Sequence, residues 1–241
     1  KFDATSLLTK VKAPGFSASL TPVEMTLTEL GGGKWQVDQD QPISFTLKID
    51  GAVDASAKLG NIKGTGIFDE AIGAFASSST EFADFTFDQT VIDKGATTKV
   101  SYAIAKINYE TALAAAGDGA DGTTRATMSG LKETVTTPGA PDGGMPPMEF
   151  VVTAATGAQD STFKGLKPRA ILDLLAWAVA HPSPDAANAD QAALRDKLRA
   201  ALPVFQNFAG VTTIDQMTVG TMAGRFGLDK LEVTVDGNGV V

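Results

Sequence analysis

The chain has 241 residues, with 20 Lys and Arg against 28 Asp and Glu, which gives a formal net charge of −8. An acidic chain lacks the basic surface that nucleic-acid binding requires, so we expect no nucleic-acid partner. The absence of cysteine excludes disulfides, thiolate catalysis and Cys-zinc sites, and the single histidine, His181, leaves little room for a Ser-His-Asp triad or a two-His metal site. No run of about 18 apolar residues is present, so we expect no transmembrane helix in this chain.

Strict alternation of apolar and polar residues, which is typical of half-buried strands, dominates the first part of the chain. Residues 16–27 alternate but change parity at Pro22, which predicts a bulge or an edge strand there. The glycines at 31–33 predict a turn. Residues 43–49 and 53–59 alternate on either side of a second predicted turn.

A different spacing follows at 68–77, where apolar residues recur four and three positions apart. This pattern predicts a short helix, or a turn that closes one end of a sheet. The loop-forming segments 117–122 and 138–147 then separate further strand patterns. These strand patterns cover residues 83–91, 99–113, 123–137 and 149–156.

The pattern becomes helical after residue 167. Pro168 suits a first helical position, and a stripe at helical spacing runs on to the segment before Pro182. A second helical pattern continues to Phe205, so the region 168–206 predicts an αα-hairpin. Strand patterns return after Gly210.

Successive strands without intervening helices predict an antiparallel meander. The fold class is therefore α+β, mainly β, with one αα-hairpin near residues 168–206. A curved sheet, a sandwich and a partly open barrel all remain open. We expect residues 1–241 to form one β-rich domain, as a fragment or mature part of a longer chain, because residue 1 is not Met and a hairpin begins at the last residues.

The common catalytic strings are missing: the sequence has no GxSxG, HExxH, P-loop or strand-linked GxGxxG motif. We therefore expect no catalytic residues, no cofactor and no metal site. Oxygen-bearing residues in predicted turns are interpreted as turn formers, with a calcium site as the alternative: Asp118, Asp121, Asp236 and Asn238. The carboxylate pairs Glu24 with Glu29 and Asp69 with Glu70 leave a carboxylate hydrolase as a remote third option, and His181 is expected to cap a helix C-terminus.

The candidate ligand-binding residues are apolar. Phe45, Leu47, Phe85 and Phe87 lie on apolar strand parities, where they form either plain core or a hydrophobic groove for lipid. Met145 and Met148 flank a Pro-Pro pair in a predicted loop, and adaptable methionines suit the edge of a binding surface. The alternative for these two is a loop without a binding role.

The segment NIKGTGIFDEAIGAFASSSTEFADFTF at 61–87 resembles a unit of uncharacterised exported alphaproteobacterial envelope proteins, in which a G-x-[FY]-D-x-A-[IL]-x-x-F element links two strands. These proteins are distantly similar to the YdgA-like and AsmA-like proteins. The resemblance implies a β-rich protein of the bacterial periplasm or cell surface, with a role in lipid or envelope biology. It supplies no active-site residues.

From these observations we expect a non-catalytic periplasmic or extracellular protein that binds a hydrophobic small molecule or lipid on a curved sheet. The alternative is a surface module that binds a protein partner.

Overall fold

The computed structural model describes residues 3, 14–93, 95–139, 146–181 and 190–239. Ten strands and two helices lie in these ranges. In chain order they are β1 (Phe16–Leu20), β2 (Thr26–Gly31), β3 (Lys34–Ile49), β4 (Val53–Asp69), β5 (Ala74–Asp93), β6 (Ala96–Ala116), β7 (Gly119–Thr137), β8 (Met148–Leu166), α1 (Pro168–Ala180), α2 (Gln191–Ala201), β9 (Asn207–Thr221) and β10 (Gly224–Asn238).

All ten strands form one antiparallel sheet in the order β1-β3-β4-β5-β6-β7-β8-β9-β10, with β2 also paired to β3. The sheet is not closed: β1 and β2 form one edge, and β10 forms the other. The predicted antiparallel meander with one αα-hairpin is thus confirmed. Within the described residues the sheet forms a single open layer rather than a sandwich.

The edge formed by β1 and β2 is interrupted where the proline predicted it. β1 pairs with residues 45–49 of β3, and β2 pairs with residues 34–38 of the same strand. Pro22 lies between them, where an edge strand tolerates the loss of a backbone N–H donor.

The two faces of the sheet differ in burial. Side chains alternate along each strand, and residues directly opposite in register share a face. One face, which we call the apolar face, carries the buried strand residues Ala55, Ile62, Ile104 and Ala154. The opposite, polar face is mostly exposed. Among the described residues no large side chain is completely buried, as expected for a single layer with a thin core.

A row of seven residues crosses the sheet where the apolar alternation changes parity. The backbone ladders from β4 to β10 are interrupted in this row and then resume in the same register. Three of its members, on alternate strands, have positive φ: Asp84 (53°), Gly130 (67°) and Gln216 (51°). We call this row the parity step; it consists of Gly60, Asp84, Ala105, Gly130, Ala155, Gln216 and Asp229.

The parity step keeps the apolar side chains of each strand on one face. Apolar residues recur every two positions along most of a strand, but across the step they are three positions apart. Ile104 and Ile107, on either side of Ala105 and Lys106, are both turned away from solvent. Equivalent pairs flank the step on other strands: Leu59 with Ile62, Phe82 with Phe85, Met128 with Leu131, and Ile214 with Met217. On β3 the step disappears, because a register shift between Gln41 and Ile43 sets one residue, Pro42, opposite two residues of β4, Gly60 and Asn61.

The segment 68–77 forms a hairpin turn, and the predicted helix is wrong. β4 continues to Asp69 and β5 begins at Ala74. Phe68 and Phe75 pair across the hairpin with their rings edge to face at 5.8 Å, and Ile72 in the turn is buried. Facing positions of a tight hairpin therefore produced the spacing that resembles a helix, and the alternative of a turn at a sheet end is confirmed.

Three other boundaries differ from the sequence expectations. Asp236 and Asn238, expected in a turn, belong to β10, which continues to Asn238 and pairs with β9. The loop expected over 117–122 is a short turn, because β7 already begins at Gly119. The strand expected over 149–156 continues to Leu166. In the last two places glycines and polar residues, which favour turns locally, are held in strands by pairing with both neighbours.

The helical hairpin lies at one end of the sheet. Pro168 is the first residue of α1, as predicted, and the helix ends at Ala180. Lys167 forms an ion pair with Asp118 in the β6–β7 turn (3.3 Å), and Arg169 donates from Nη1 to the carbonyl oxygen of Glu70 in the β4–β5 turn (3.0 Å). We call the part of the sheet between the parity step and this end the helical half, and the remainder the distal half. Neither helix in the described ranges is long and apolar enough to cross a membrane.

Candidate functional site: the apolar face of the distal half

Four of the predicted ligand-binding residues lie on one face of the distal half. Phe45 and Phe87 both face Ala57 of β4 from opposite sides, so they share a register row, and Leu47 lies in the next row of the same face. Phe85 lies beside them, with its ring edge to face with Tyr102 at 5.9 Å. All four side chains are half-buried. Their placement is compatible with a ligand surface, but their role in binding stays a prediction.

The two predicted methionines differ in position. Met148 begins β8 and pairs with Thr137 at the end of the distal half, on the apolar face. Met145 lies outside the described residues. Met148 therefore stands at the sheet end of the same surface.

Two complete register rows define the apolar face of the distal half. The first crosses nine strands through Leu20, Phe45, Ala57, Phe87, Tyr102, Glu133, Val152, Val219 and Phe226. The second crosses seven strands through Ala18, Leu47, Ala55, Gln89, Val100, Val135 and Phe150. We call these rows the apolar rows. Their side chains are mostly aliphatic or aromatic, so the rows form a continuous hydrophobic surface.

Glu133 is the one charged residue in the apolar rows. It lies on β7, directly opposite Tyr102 of β6, and its strand neighbours on the same face are Leu131 and Val135. Neither Glu133 nor Tyr102 forms a hydrogen bond or ion pair with another described residue. Burial raises the pKa of Tyr102 above its ordinary value, and the negative charge of Glu133 raises it further.

Sequence reasoning missed Glu133, although a signal was present. Leu131, Glu133 and Val135 alternate with Lys132 and Thr134. This parity places an acid among apolar residues. A charge inside an alternating apolar series indicates either an exposed position or a functional one.

Apolar hollows continue this surface across the parity step. One, of about 210 Å³, is lined by Ile107, Met128 and Ile214, and another, of about 330 Å³, by Ile62 and Phe82. At the first hollow, a Cβ on Gly157 would stand 2.7 Å from the Met128 Cε, so the glycine lets the methionine lie close over the backbone. The apolar surface therefore extends from the distal half into the helical half.

A further, larger hollow has a different character. It has a volume of about 720 Å³ and lies in the helical half, where strands β5 to β10 line it. Its charged residues come from the polar face, where Arg125 stands between Glu110 and Asp160 in register. Acid–base catalysis needs one carboxyl that burial keeps protonated, but both acids here are exposed. The hollow is a trough lined mainly by Ser, Thr and charged residues, and its central cation, Arg125, faces an acid on each side.

Three of the remaining candidate acids, Asp69, Glu70 and Asp121, have structural partners. Glu70 accepts a hydrogen bond from the indole Nε1 of Trp35 (2.8 Å), and Asp69 lies 3.8 Å from Lys34. Asp121 accepts a hydrogen bond from the Gly165 backbone N–H (2.8 Å). Across the described ranges, no cluster of three acidic or histidine side chains is arranged to hold a metal ion.

His181 is the C-cap residue of α1, as predicted. Its Nδ1–H donates to the carbonyl oxygen of Trp177 (2.8 Å), and its ring stacks on the indole of that tryptophan at 4.2 Å. Asp190, the N-cap residue of α2, lies 3.5 Å from the other ring nitrogen. The histidine therefore joins the two helices rather than forming part of a reactive site.

Comparison with known proteins adds no identity. The chain matches no protein-family model, no curated protein and no solved structure. Function must be argued from the geometry above.

Proposed function

We propose that this protein is a non-catalytic binding protein that holds the acyl chain of a lipid on its apolar face. The observation that carries the proposal is the pair of apolar rows. They form a continuous hydrophobic surface, and the helical hairpin lies at the sheet end and not over them. None of the described elements covers this face, and an exposed apolar face of this size is a feature of binding surfaces.

An acyl chain suits this surface better than a compact ligand. The half-buried side chains of the apolar rows pack against one another and leave a shallow surface, which a flexible linear chain can follow over several strands. Each methylene group removed from water contributes up to about 0.8 kcal/mol, so a chain that contacts many side chains weakly still gains useful affinity.

The test is binding of a fluorescent fatty alcohol, which carries no charge, to the purified chain and to the variant Phe87→Lys. A lysine in the first apolar row places a charge where the hydrocarbon chain would lie. We expect affinity to fall about tenfold or more, which corresponds to the loss of contact with about two methylene groups. Competition by unlabelled fatty alcohol establishes that the hydrocarbon chain, and not the dye, is bound.

The matched control is Thr86→Lys. Thr86 is the neighbour of Phe87 on the same strand, but it lies on the polar face and is exposed. The control adds the same charge to the same strand, so its affinity should equal that of the parent chain. Equal affinity of Phe87→Lys and the parent chain, with both variants folded by circular dichroism, would refute the proposal.

A second function has one specific observation in its favour. β10 presents a free edge of 15 residues, Gly224–Asn238, without a proline. Such an edge can accept a strand from a protein partner. Lys230 and Glu232 form an ion pair on this strand (2.8 Å), and charged side chains on an edge strand disfavour nonspecific addition of other strands. Sedimentation over a range of concentrations tests the simplest case, in which the partner is a second copy.

The proposed location is the bacterial periplasm or cell surface, where membrane lipids provide ligands with acyl chains. This part of the proposal depends on the resemblance of residues 61–87 to exported envelope proteins. Cell fractionation of the full-length protein tests it, and recovery in the cytoplasmic fraction would overturn it.

A further inference from the structure

We propose that Glu133 and Tyr102 bind a protonated amine carried by the hydrophobic ligand, so that the preferred ligand is a cationic amphiphile. This inference rests on the proposed function, because it names the chemistry of the polar group attached to the apolar chain. Its basis is the position of these two side chains and their lack of partners.

The position is the first part of the argument. Tyr102 and Glu133 are direct register partners on β6 and β7, so their Cα atoms are about 5 Å apart and their side chains are neighbours on one face. The next residues along the row are Phe87 on one side and Val152 on the other. A polar pair therefore stands within an otherwise hydrophobic surface.

The lack of partners is the second part. Two acids on β5 have partners: Glu81 contacts Lys106, and Asp88 accepts a hydrogen bond from Ser101. Glu133 is half-buried, yet it has no such partner among the described residues. A carboxylate that is partly removed from water without a partner lowers stability, so a ligand that supplies a cation there gains a charge-assisted hydrogen bond.

The chemistry of the pair selects the ligand class. An ionised carboxylate only accepts hydrogen bonds, while the tyrosine hydroxyl accepts and donates. A primary ammonium group has three donors and a positive charge, so it satisfies both oxygens at once. A carboxylate or phosphate at the same place would meet like charge from Glu133. The occupant that fits best is therefore a single-chain amine, and an aminophospholipid, whose phosphate lies close to its amine, is the alternative that the experiment separates from it.

The experiment compares three probes with the same chain, decylamine, decanol and decanoate, each below its micelle concentration. Isothermal titration measures their binding to the parent chain, to Glu133→Gln and to Glu149→Gln. Glu149 is an exposed acid on the polar face of β8, so its variant makes the same change in net charge away from the apolar rows. A soluble short-chain phosphatidylethanolamine is tested in parallel.

We expect the parent chain to bind decylamine about tenfold more tightly than decanol, as a charged hydrogen bond at a half-exposed site implies. Glu133→Gln should abolish this preference and leave decanol binding unchanged, whereas Glu149→Gln should retain it. Tighter binding of phosphatidylethanolamine than of decylamine would assign the amine to a phospholipid, and weaker binding would assign it to a single-chain amine.

Three other outcomes overturn the inference, and they are distinguishable. Equal binding of decylamine and decanol to the parent chain refutes the amine site and leaves the acyl-chain proposal standing. An amine preference that persists in Glu133→Gln shows a general attraction to an acidic protein, not a site. Failure of all three probes to bind overturns the proposed function itself and this inference with it.

Discussion

The geometry of the parity step lets us predict the loss of stability that a side chain at Gly130 would cause. This residue has a φ of 67°, a conformation that an L-amino acid with a Cβ adopts only with strain. A Cβ built there would stand 2.8 Å from the Cβ of Ala105 on the neighbouring strand. Both atoms are fixed by the backbone, so neither can rotate away. Gly130→Ala therefore introduces backbone strain and a steric overlap together.

The expected loss can be divided into these two terms. The left-handed conformation costs about 1–2 kcal/mol for a residue with a Cβ. The overlap with Ala105 adds about 1–2 kcal/mol, a magnitude typical of overpacked sites. The free energy of unfolding should thus fall by about 2–4 kcal/mol, or about 5–15 °C in melting temperature for a chain of this size.

The assay is urea unfolding followed by circular dichroism, with two further variants. In the double variant Gly130→Ala with Ala105→Gly the overlap is gone, so the interaction between the two changes should be favourable by about 1 kcal/mol or more. Gly220→Ala is the matched control, because a Cβ there meets nothing closer than 3.7 Å and its φ is not positive. Its stability should stay within about 0.5 kcal/mol of the parent or rise slightly.

Two results would refute this reasoning. A loss below about 0.5 kcal/mol for Gly130→Ala would mean that the strand adopts an ordinary extended conformation at this position. Additive effects of Gly130→Ala and Ala105→Gly would mean that the two residues do not meet across the step.

Further predictions concern the aromatic residues. Glu133→Gln should lower the pKa of Tyr102 toward its ordinary value of 10.0 but leave it raised, because burial is the larger cause. Ultraviolet titration measures this pKa. The titration uses a Tyr109→Phe background, because the chain has two tyrosines. Because the raised pKa belongs to the folded state, stability should fall as the pH rises above 10.0, where the unfolded tyrosine ionises first. His181→Ala should lower the free energy of unfolding by about 1 kcal/mol, because it removes the ring stacked on Trp177. A red shift of the tryptophan fluorescence emission should accompany this loss. If the emission and the melting temperature were both unchanged, the role of His181 as a link between the helices would be contradicted.

Much of the fold could be predicted because alternation is a local property. The residues around Phe45 and Leu47 alternate as a strand with one apolar face must, and β3 follows that pattern closely. The αα-hairpin was predictable for the same reason, since Pro168 and the spacing after it indicate a helix start. The order of strands β3 to β8 followed from short connections between consecutive strands, whereas the αα-hairpin separates β8 from β9.

The parity step could not be predicted from any one strand. A change of parity such as Phe82 to Phe85 has several explanations when it is seen alone, including a strand end or a turn. Its meaning comes from register, because equivalent changes at Ile104 and Met128 fall into one row only when the strands are aligned. Register depends on contacts between residues that are far apart in the chain. The same dependence on strand register explains why the spacing of apolar residues in 68–77 predicted a short helix as well as a turn.

The candidate site illustrates how the same limit applies to function. The apolar residues Phe45, Phe85 and Phe87 could be chosen from their parity, because the apolar face of a strand is visible as an alternating pattern in the sequence. Glu133 could not, since its importance lies in what surrounds it: Tyr102 across one ladder and Val152 across the other. An acid in an ordinary alternating strand points to water. Glu133 instead lies on an apolar face where the described residues provide no cation, and this surrounding is the observation behind the proposal that the ligand supplies one.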